Sequence, residues 1–357
     1  MVYYVRFLKT PRLQKQKPGS VSASALICIT TDLGDAFLTQ DVNLLVTLRP
    51  AQHEQNALCQ ELLQWHGGKR ELSLSLGPLP GKVAQMPLVM EVTASNSKST
   101  MSDSLSDQQS MPLVVSGWSA PFGGPQSLVA EKLIERRLRV NQSVELRIWE
   151  ETGNSIARHI WDAALASSMY LQQITAGQDL SSPVLQELLQ SGSSRSLNVI
   201  ELGSGCGIVG ITLAKLLPHC SVLLTDLPEV EEIITKNISV AQPAPGSEIR
   251  YKPLEWEEEL PNDLFDTPLT DLVLVSDCTY NADSLPALVS VLSRLVQQSP
   301  SALILVALKR RHESESIFYD LMQSAGLRDL HLHSIEIPSE HEQVDEIELH
   351  CYGTLAR

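Results

Sequence analysis

The 357-residue chain has no pair of cysteines at CxxC spacing and no cluster of Cys with His. Its six cysteines, Cys28, Cys59, Cys206, Cys220, Cys278 and Cys351, are scattered, which argues against a structural zinc and against a disulfide framework. No apolar run approaches the ~18 residues of a membrane helix. The opening "MVYYVRFLKTPRLQKQKPG" lacks the apolar core of a secretory leader. These absences predict a reduced compartment, the cytoplasm with or without the nucleus, with no membrane and no metal. The sequons at Asn141 and Asn237 are then accidental. Positive charge is scarce as well, with 27 Lys and Arg against 42 Asp and Glu and a formal net charge of -15. Such a surface has no positive field to displace counterions from a phosphate backbone, so direct nucleic-acid binding is not expected and a basic partner is favoured.

What is present is a globular composition, 43% hydrophobic and 19% charged. The length exceeds what one core usually organises, so two domains are expected. Residues 1–125 carry short β-type blocks, "SALICITT", "VNLLVTLR", "RELSLSLG" and "PLVMEVT", and predict a β-rich domain with one helical stretch around "NALCQELLQW". Residues 94–110, "ASNSKSTMSDSLSDQQS", are poor in bulky apolar groups and predict a loop or disordered insert. Residues 126–357 form the second predicted domain. It opens with an extension over 126–196, a hairpin in "ERRLRVNQSVELRIWEE" turning at Asn141-Gln142-Ser143, then a helix in "ARHIWDAALASSMYLQQI". From residue 197 apolar strands alternate with helices until two last strands follow each other directly. That order predicts an α/β core, a doubly wound, Rossmann-like sheet of seven strands finishing with an antiparallel pair.

The densest signal is "VIELGSGCGIVG", where the glycines between Gly203 and Gly210 follow the core's first strand and open its first helix. Backbone N–H groups at a helix N-terminus, at the carboxyl edge of such a sheet, suit a ligand. Gly205 to Gly210 satisfies GxGxxG and Asp226 ends the next strand, as a dinucleotide fingerprint asks, although that pattern alone is weak. Three features favour S-adenosylmethionine instead. Glu201 stands just before the glycines, where it would repel a pyrophosphate and tolerate a cation. The sheet finishes antiparallel. The fourth core strand ends in Asp277-Cys278-Thr279-Tyr280, an acid and a phenol at the same rim.

With "IWDAA" (Trp161), "ELGSGCGIVG", "LTDLP" (Asp226), "LEW" (Trp256) and "SDCTY" (Asp277 to Tyr280) in that order, the chain resembles the seven-β-strand methyltransferases, and among them the family-16 protein-lysine methyltransferases. The resemblance runs from about residue 130 to the end. It implies S-adenosyl-L-methionine as cofactor, held by Trp161, Glu201, Gly203, Ser204, Gly205, Asp226, Leu227, Trp256 and Ser276. It also implies a catalytic pair, Asp277 and Tyr280, and a folded protein substrate such as an elongation factor or chaperone, which the β-rich domain would help to grip.

Each assignment has a plainer alternative. Asp226 would serve as a helix cap before "LPEVEE". Trp161 and Trp256 would bury on any apolar face. Asp277 could simply cap its strand, and Tyr280 could carry a wet hydroxyl. Cys278, with no histidine partner, is expected to be a small buried thiol. Lys309, Arg310 and Arg311 suggest a solvated loop, as does the acidic "EWEEELPNDLFD". As whole readings, a nicotinamide-type small-molecule N-methyltransferase and an inactive interaction module remain rivals.

Overall fold

Period-two patterning dominates the first half of the chain, and those segments pair into two sheets. The computed structural model describes all residues except 95–101, 126, 154, 180, 192–194, 262–263, 265–268, 312–315, 341–344 and 355–357. The strands are β1 (Tyr3–Lys15), β2 (Ser20–Thr31), β3 (Val42–Pro50), β4 (Cys59–Trp65), β5 (Leu72–Pro80), β6 (Pro87–Ala94), β7 (Asp103–Ser104), β8 (Val114–Val115), β9 (Gly117–Ser119), β10 (Phe122–Gly123), β11 (Leu133–Arg139) and β12 (Glu145–Glu151). One sheet runs β5-β2-β1-β8, the other β12-β11-β9-β6-β3-β4. Tyr4, Phe7, Ile27, Leu44, Val46, Met90, Val92 and Ile134 share one buried apolar cluster between them.

Two expectations are corrected here, and a third is narrowed. The predicted helix around "NALCQELLQW" is β4, paired antiparallel with β3 from Val42↔Trp65 to Leu48↔Cys59. Its leucines suit a helix locally, but the open edge of β3 supplies ladder hydrogen bonds and lets Trp65 bury, so tertiary pairing overrides propensity. Residues 95–101 of the expected insert lie outside the described residues; from 102 to 110 the expected loop is present apart from the two-residue β7, with 107–109 exposed and its start anchored. Asp103 accepts from the Ser116 N–H at 2.7 Å and its hydroxyl at 3.0 Å, and Leu105 is fully buried. Ser104, Ser106 and Ser110 hydrogen-bond one another beside the exposed tip. The hairpin forms with Asn141 Oδ1 accepting from the Ser143 and Val144 N–H groups, each at 2.8 Å. It belongs, however, to the β-rich half, because β11 pairs with β9 through Ile134↔Ser119 and Glu135↔Trp118. That half therefore extends to Glu151 rather than ending at 125.

A buried guanidinium ties the two sheets together. Arg136 donates to Glu150 at 2.6 Å, to the Ser116 carbonyl at 2.8 Å and to the Val5 carbonyl at 2.7 Å. Burial resists the Glu150 charge, but Arg136 outweighs it and holds that carboxyl well below the ordinary range.

The second half holds α1 (Asp162–Thr175), α2 (Pro183–Ser191), β13 (Leu197–Leu202), α3 (Ile208–Leu216), β14 (Cys220–Asp226), α4 (Glu231–Val240), β15 (Glu248–Pro253), β16 (Leu272–Ser276), α5 (Leu285–Gln298), β17 (Leu303–Leu308), α6 (Ile317–Ser324), β18 (Arg328–Ile337) and β19 (Asp345–Gly353). Its sheet has the order β15-β14-β13-β16-β17-β19-β18. The strands β13 to β17 are parallel to one another, and β19 runs antiparallel to both β17 and β18. Side chains alternate between the sheet's faces. Leu272, Leu274, Leu303 and Leu305 join the cluster containing α1 and α3, while Val273, Val275, Ile304 and Val306 join that of α5 and α6. Both faces are thereby dry, which explains the near-continuous apolar strands. No helix among the described residues is long and apolar enough to cross a membrane.

Strand order reverses at β13, with β14 on one side and β16 on the other. Because Leu202 pairs with Val275, the glycine loop and the acidic strand end emerge side by side at the carboxyl edge, where ligands of such sheets sit.

Candidate active site

After Leu202 the backbone enters the left-handed region at Gly203, with φ of 64°. A Cβ there would lie 2.4 Å from Cys278 Sγ and 3.3 Å from the Trp256 ring, so both the turn and the close approach require glycine. Gly210 is different, for its hydrogen faces Leu224 and Glu201 and lets α3 pack on β14.

Carboxylates stitch this loop together. Asp226 Oδ2 accepts from the Gly205 N–H at 2.6 Å and Oδ1 from the Leu227 N–H at 2.7 Å. No side chain caps α4 or the short turn Pro228–Val230, so Asp226 serves the loop rather than a helix end. Its pKa is raised by burial, against the pull of those two N–H groups. Glu201 accepts from the Gly210 N–H at 2.8 Å. Burial, reinforced by Asp226, pushes its carboxyl up to about 8.

A cavity of about 610 Å³ opens at this edge. The structure brings all eleven nominated residues to its wall: Trp161, Glu201, Gly203, Ser204, Gly205, Asp226, Leu227, Trp256, Ser276, Asp277 and Tyr280. Trp161 stands at the N-cap of α1. Trp256 lies beyond the end of β15 and packs one flank against the α5 cluster, so it is part core and part cavity wall. Ser204 Oγ, Ser276 Oγ and Trp256 Nε1 are buried without hydrogen-bond partners, a rare and costly state that a polar ligand would relieve. Among the described residues no Lys or Arg lines the cavity, whereas Glu229, Glu255 and Glu257 do. The acidic "EWEEELPNDLFD" is therefore partly cavity wall, its residues 262–263 and 265–266 lying outside the described ones. Among the described residues no His, Cys, Asp and Glu group could hold a metal.

The end of β16 departs from expectation. Asp277 adopts a φ of 56°, left-handed for a non-glycine. Both its oxygens accept from Arg311, at 2.7 and 2.8 Å, and the same guanidinium reaches Asp32 at 3.0 Å. It also lies 5.5 Å from the centre of the Trp161 ring. Lys309 is buried and donates to Asp162 at 2.9 Å. Only Arg310 of the three behaves as the expected solvated cation, with its side chain 60% exposed. The other two are drawn inward by buried carboxylates from α1, β16 and the β-rich half. Burial raises the Asp277 pKa while Arg311 opposes it. Asp277, reached by the Lys309 backbone N–H as well, is consequently no free counter-ion for an incoming ammonium.

Tyr280 sits at the rim, 58% exposed. Its phenol is pushed up by burial and by neighbouring acids, so it stays protonated. The Cys278 thiol is raised well above its ordinary range by burial, which agrees with an inert packing role. No motif marks the segment Ser155, Ile156, Ala157 and His159, which also lines the cavity. A Cβ on Gly205 would meet the Ala157 carbonyl at 3.1 Å, so two loops close over one another here.

Residues 140–325, slightly more than half of the chain, match the family model described as lysine methyltransferase. Among relatives, the UPF0665 family protein C23C4.06c of Schizosaccharomyces pombe is 28% identical over 323 residues, 88% of this chain and 91% of that protein. That span takes in most of the β-rich half. The protein N-lysine methyltransferase METTL21A of Danio rerio is 29% identical over 211 residues, 58% of this chain and 84% of its own. The EEF1A lysine methyltransferase 3 of Mus musculus is 32% identical over 185 residues, 50% of this chain and 68% of its own.

Proposed function

Because the chain belongs to the lysine methyltransferase family, we propose that it transfers methyl groups from S-adenosylmethionine to a lysine on a folded protein. The observation that carries this reading is the cavity at the β13–β16 reversal. It has a tight left-handed glycine turn at its wall, three unpartnered polar atoms, and acids but no Lys or Arg among the described lining residues. Those features suit a cation better than a diphosphate. The charge comes from Asp226, Glu229, Glu255 and Glu257. Glu201, titrating near 8, is largely protonated at neutral pH, and Asp277 is shared with Arg311, so neither contributes a free negative charge.

When bound, S-adenosylmethionine supplies a methyl group activated by its sulfonium. Gly203, Ser204 and Gly205 would cradle its amino-acid end, Asp226 would accept from ribose hydroxyls, and Trp161, Leu227, Trp256 and Ser276 would enclose the rest. On the acceptor side Tyr280 and the Asp277 carboxylate would orient the lysine amine. An ordinary lysine, with pKa ~10.4, must lose its proton before it can attack. Holding that amine in line is where much of the rate would arise.

Residues 277–284 join β16 to α5 without a helix, leaving the Tyr280 rim open. That favours a macromolecular acceptor over a small one, which needs a water-excluding lid. The β-rich half, fused to the acceptor side, would present a second surface to the substrate. An elongation factor is the first candidate, since one relative's name specifies EEF1A. Calorimetry should show binding of S-adenosylmethionine and none of a nicotinamide dinucleotide. Methyl-labelled cofactor added with cell extract should then label the protein fraction. Label in the small-molecule fraction alone would favour a small-molecule enzyme, and cofactor binding without any transfer an inactive scaffold.

A further inference from the structure

The carboxylate of Asp32, at the end of β2 in the β-rich half, is fixed from both halves of the molecule. Its Oδ1 accepts from the Leu33 N–H at 2.8 Å, while its Oδ2 accepts from Arg311 at 3.0 Å and from the Asp162 N–H at 3.3 Å. Its carbonyl accepts from Arg6 at 2.8 Å. Asp32 is buried and does not line the cavity. Arg311 stands between it and Asp277, which does.

The fork geometry matters more than the charge. A guanidinium binding both oxygens of one carboxylate fixes its rotation, and anchoring one of those nitrogens to a second carboxylate fixes the guanidinium in turn. Asp277 needs such support, since its left-handed backbone is a conformation that a non-glycine residue keeps only when its surroundings enforce it. Buried ion pairs add little net stability over apolar packing, so orientation is the property this chain of contacts supplies.

We propose that Asp32 is a positioning residue for methyl transfer, acting through Arg311 to hold Asp277 at the cavity wall, so that the β-rich half completes the acceptor side of the site. This rests on the methyltransferase reading above.

The test uses the full chain, Asp32→Asn, Arg311→Lys and the double variant, with labelled S-adenosylmethionine and cell extract as methyl acceptor. Each single variant should lose about ten-fold in transfer rate at saturating cofactor, with cofactor Kd and KM changed less than about three-fold. The double variant should be no worse than the poorer single one, because both changes break one chain of contacts. A wild-type rate in Asp32→Asn, losses that multiply in the double variant, or a parallel collapse of cofactor affinity would each overturn the proposal. Should Asp32→Asn fail to fold, Arg311→Lys decides alone, since it keeps the charge and removes the fork; an unchanged rate then refutes the proposal. A wild-type protein that labels nothing removes the functional reading itself, whereas equal labelling by wild type and Asp32→Asn removes only this inference.

Discussion

Single residues at the strand ends were legible in the sequence because each belongs to a short local motif and parallel pairing gathers such ends at one edge. Gly203, Asp226 and Asp277 follow that logic. Arg311 and Asp32 do not, for they meet across 279 positions and nothing in "ALKRRHES" distinguishes a buried arginine from a solvated one. The charge state of Glu201 was equally invisible, being a product of burial. Its carboxyl titrates near 8 in the fold against 4.5 ordinarily, so the folded chain retains a proton that the unfolded chain has released between those values. The stabilisation is therefore present below 4.5 and lost as pH rises through 8. Glu201→Gln keeps an oxygen for the Gly210 N–H, so its melting temperature should gain on that of wild type between about pH 5 and pH 9 in calorimetric scans. Parallel curves would refute the assignment. At Gly203, alanine meets both a costly left-handed φ and the Cys278 sulfur. Gly203→Ala should cost about 1–3 kcal/mol of stability and at least about ten-fold in cofactor affinity, measured by melting and calorimetry.

Among the elements, the alternating strands and helices after residue 197 were readable because each strand is buried on both faces and its neighbours are set by short crossovers. The β4 segment misled because an exposed Leu62 beside Leu63 mimics a helical stripe, while its true partner, β3, lies earlier in the chain. The hairpin β11–β12 is legible in the sequence as a hairpin, but the half it belongs to is not. Its turn chemistry is local, whereas its sheet is chosen by β9 and by Arg136, whose partners Val5 and Glu150 lie far apart in sequence. Removing one side of that buried pair leaves the other charge without compensation. Glu150→Ala should therefore destabilise the fold by about 3–5 kcal/mol in denaturant titration, and a loss below about 1 kcal/mol would show that Arg136 is satisfied by its carbonyl partners alone.

At the scale of the whole molecule, the two halves share their buried charges. Tyr4 donates to Asp162, Arg311 to Asp32, and Glu340 accepts from Tyr3 and from the backbone of Thr39 and Gln40. Two independent domains, one gripping substrate and one binding cofactor, would allow residues 1–125 to be deleted cleanly. The shared interface predicts the opposite: residues 126–357 alone would expose the β11 edge and leave Arg136 and Arg311 each short of a partner. That fragment should aggregate or stay unfolded by circular dichroism and gel filtration, and a monomeric fragment that binds cofactor would contradict the interface.

The most direct measurement is amino-acid analysis of protein labelled in cell extract by this chain and methyl-tritiated S-adenosylmethionine. Acid hydrolysis should release the tritium as methylated lysine, with the Asp277→Ala variant giving none above background. Tritium recovered on any other residue, or equally in that variant, would contradict lysine methylation at this cavity.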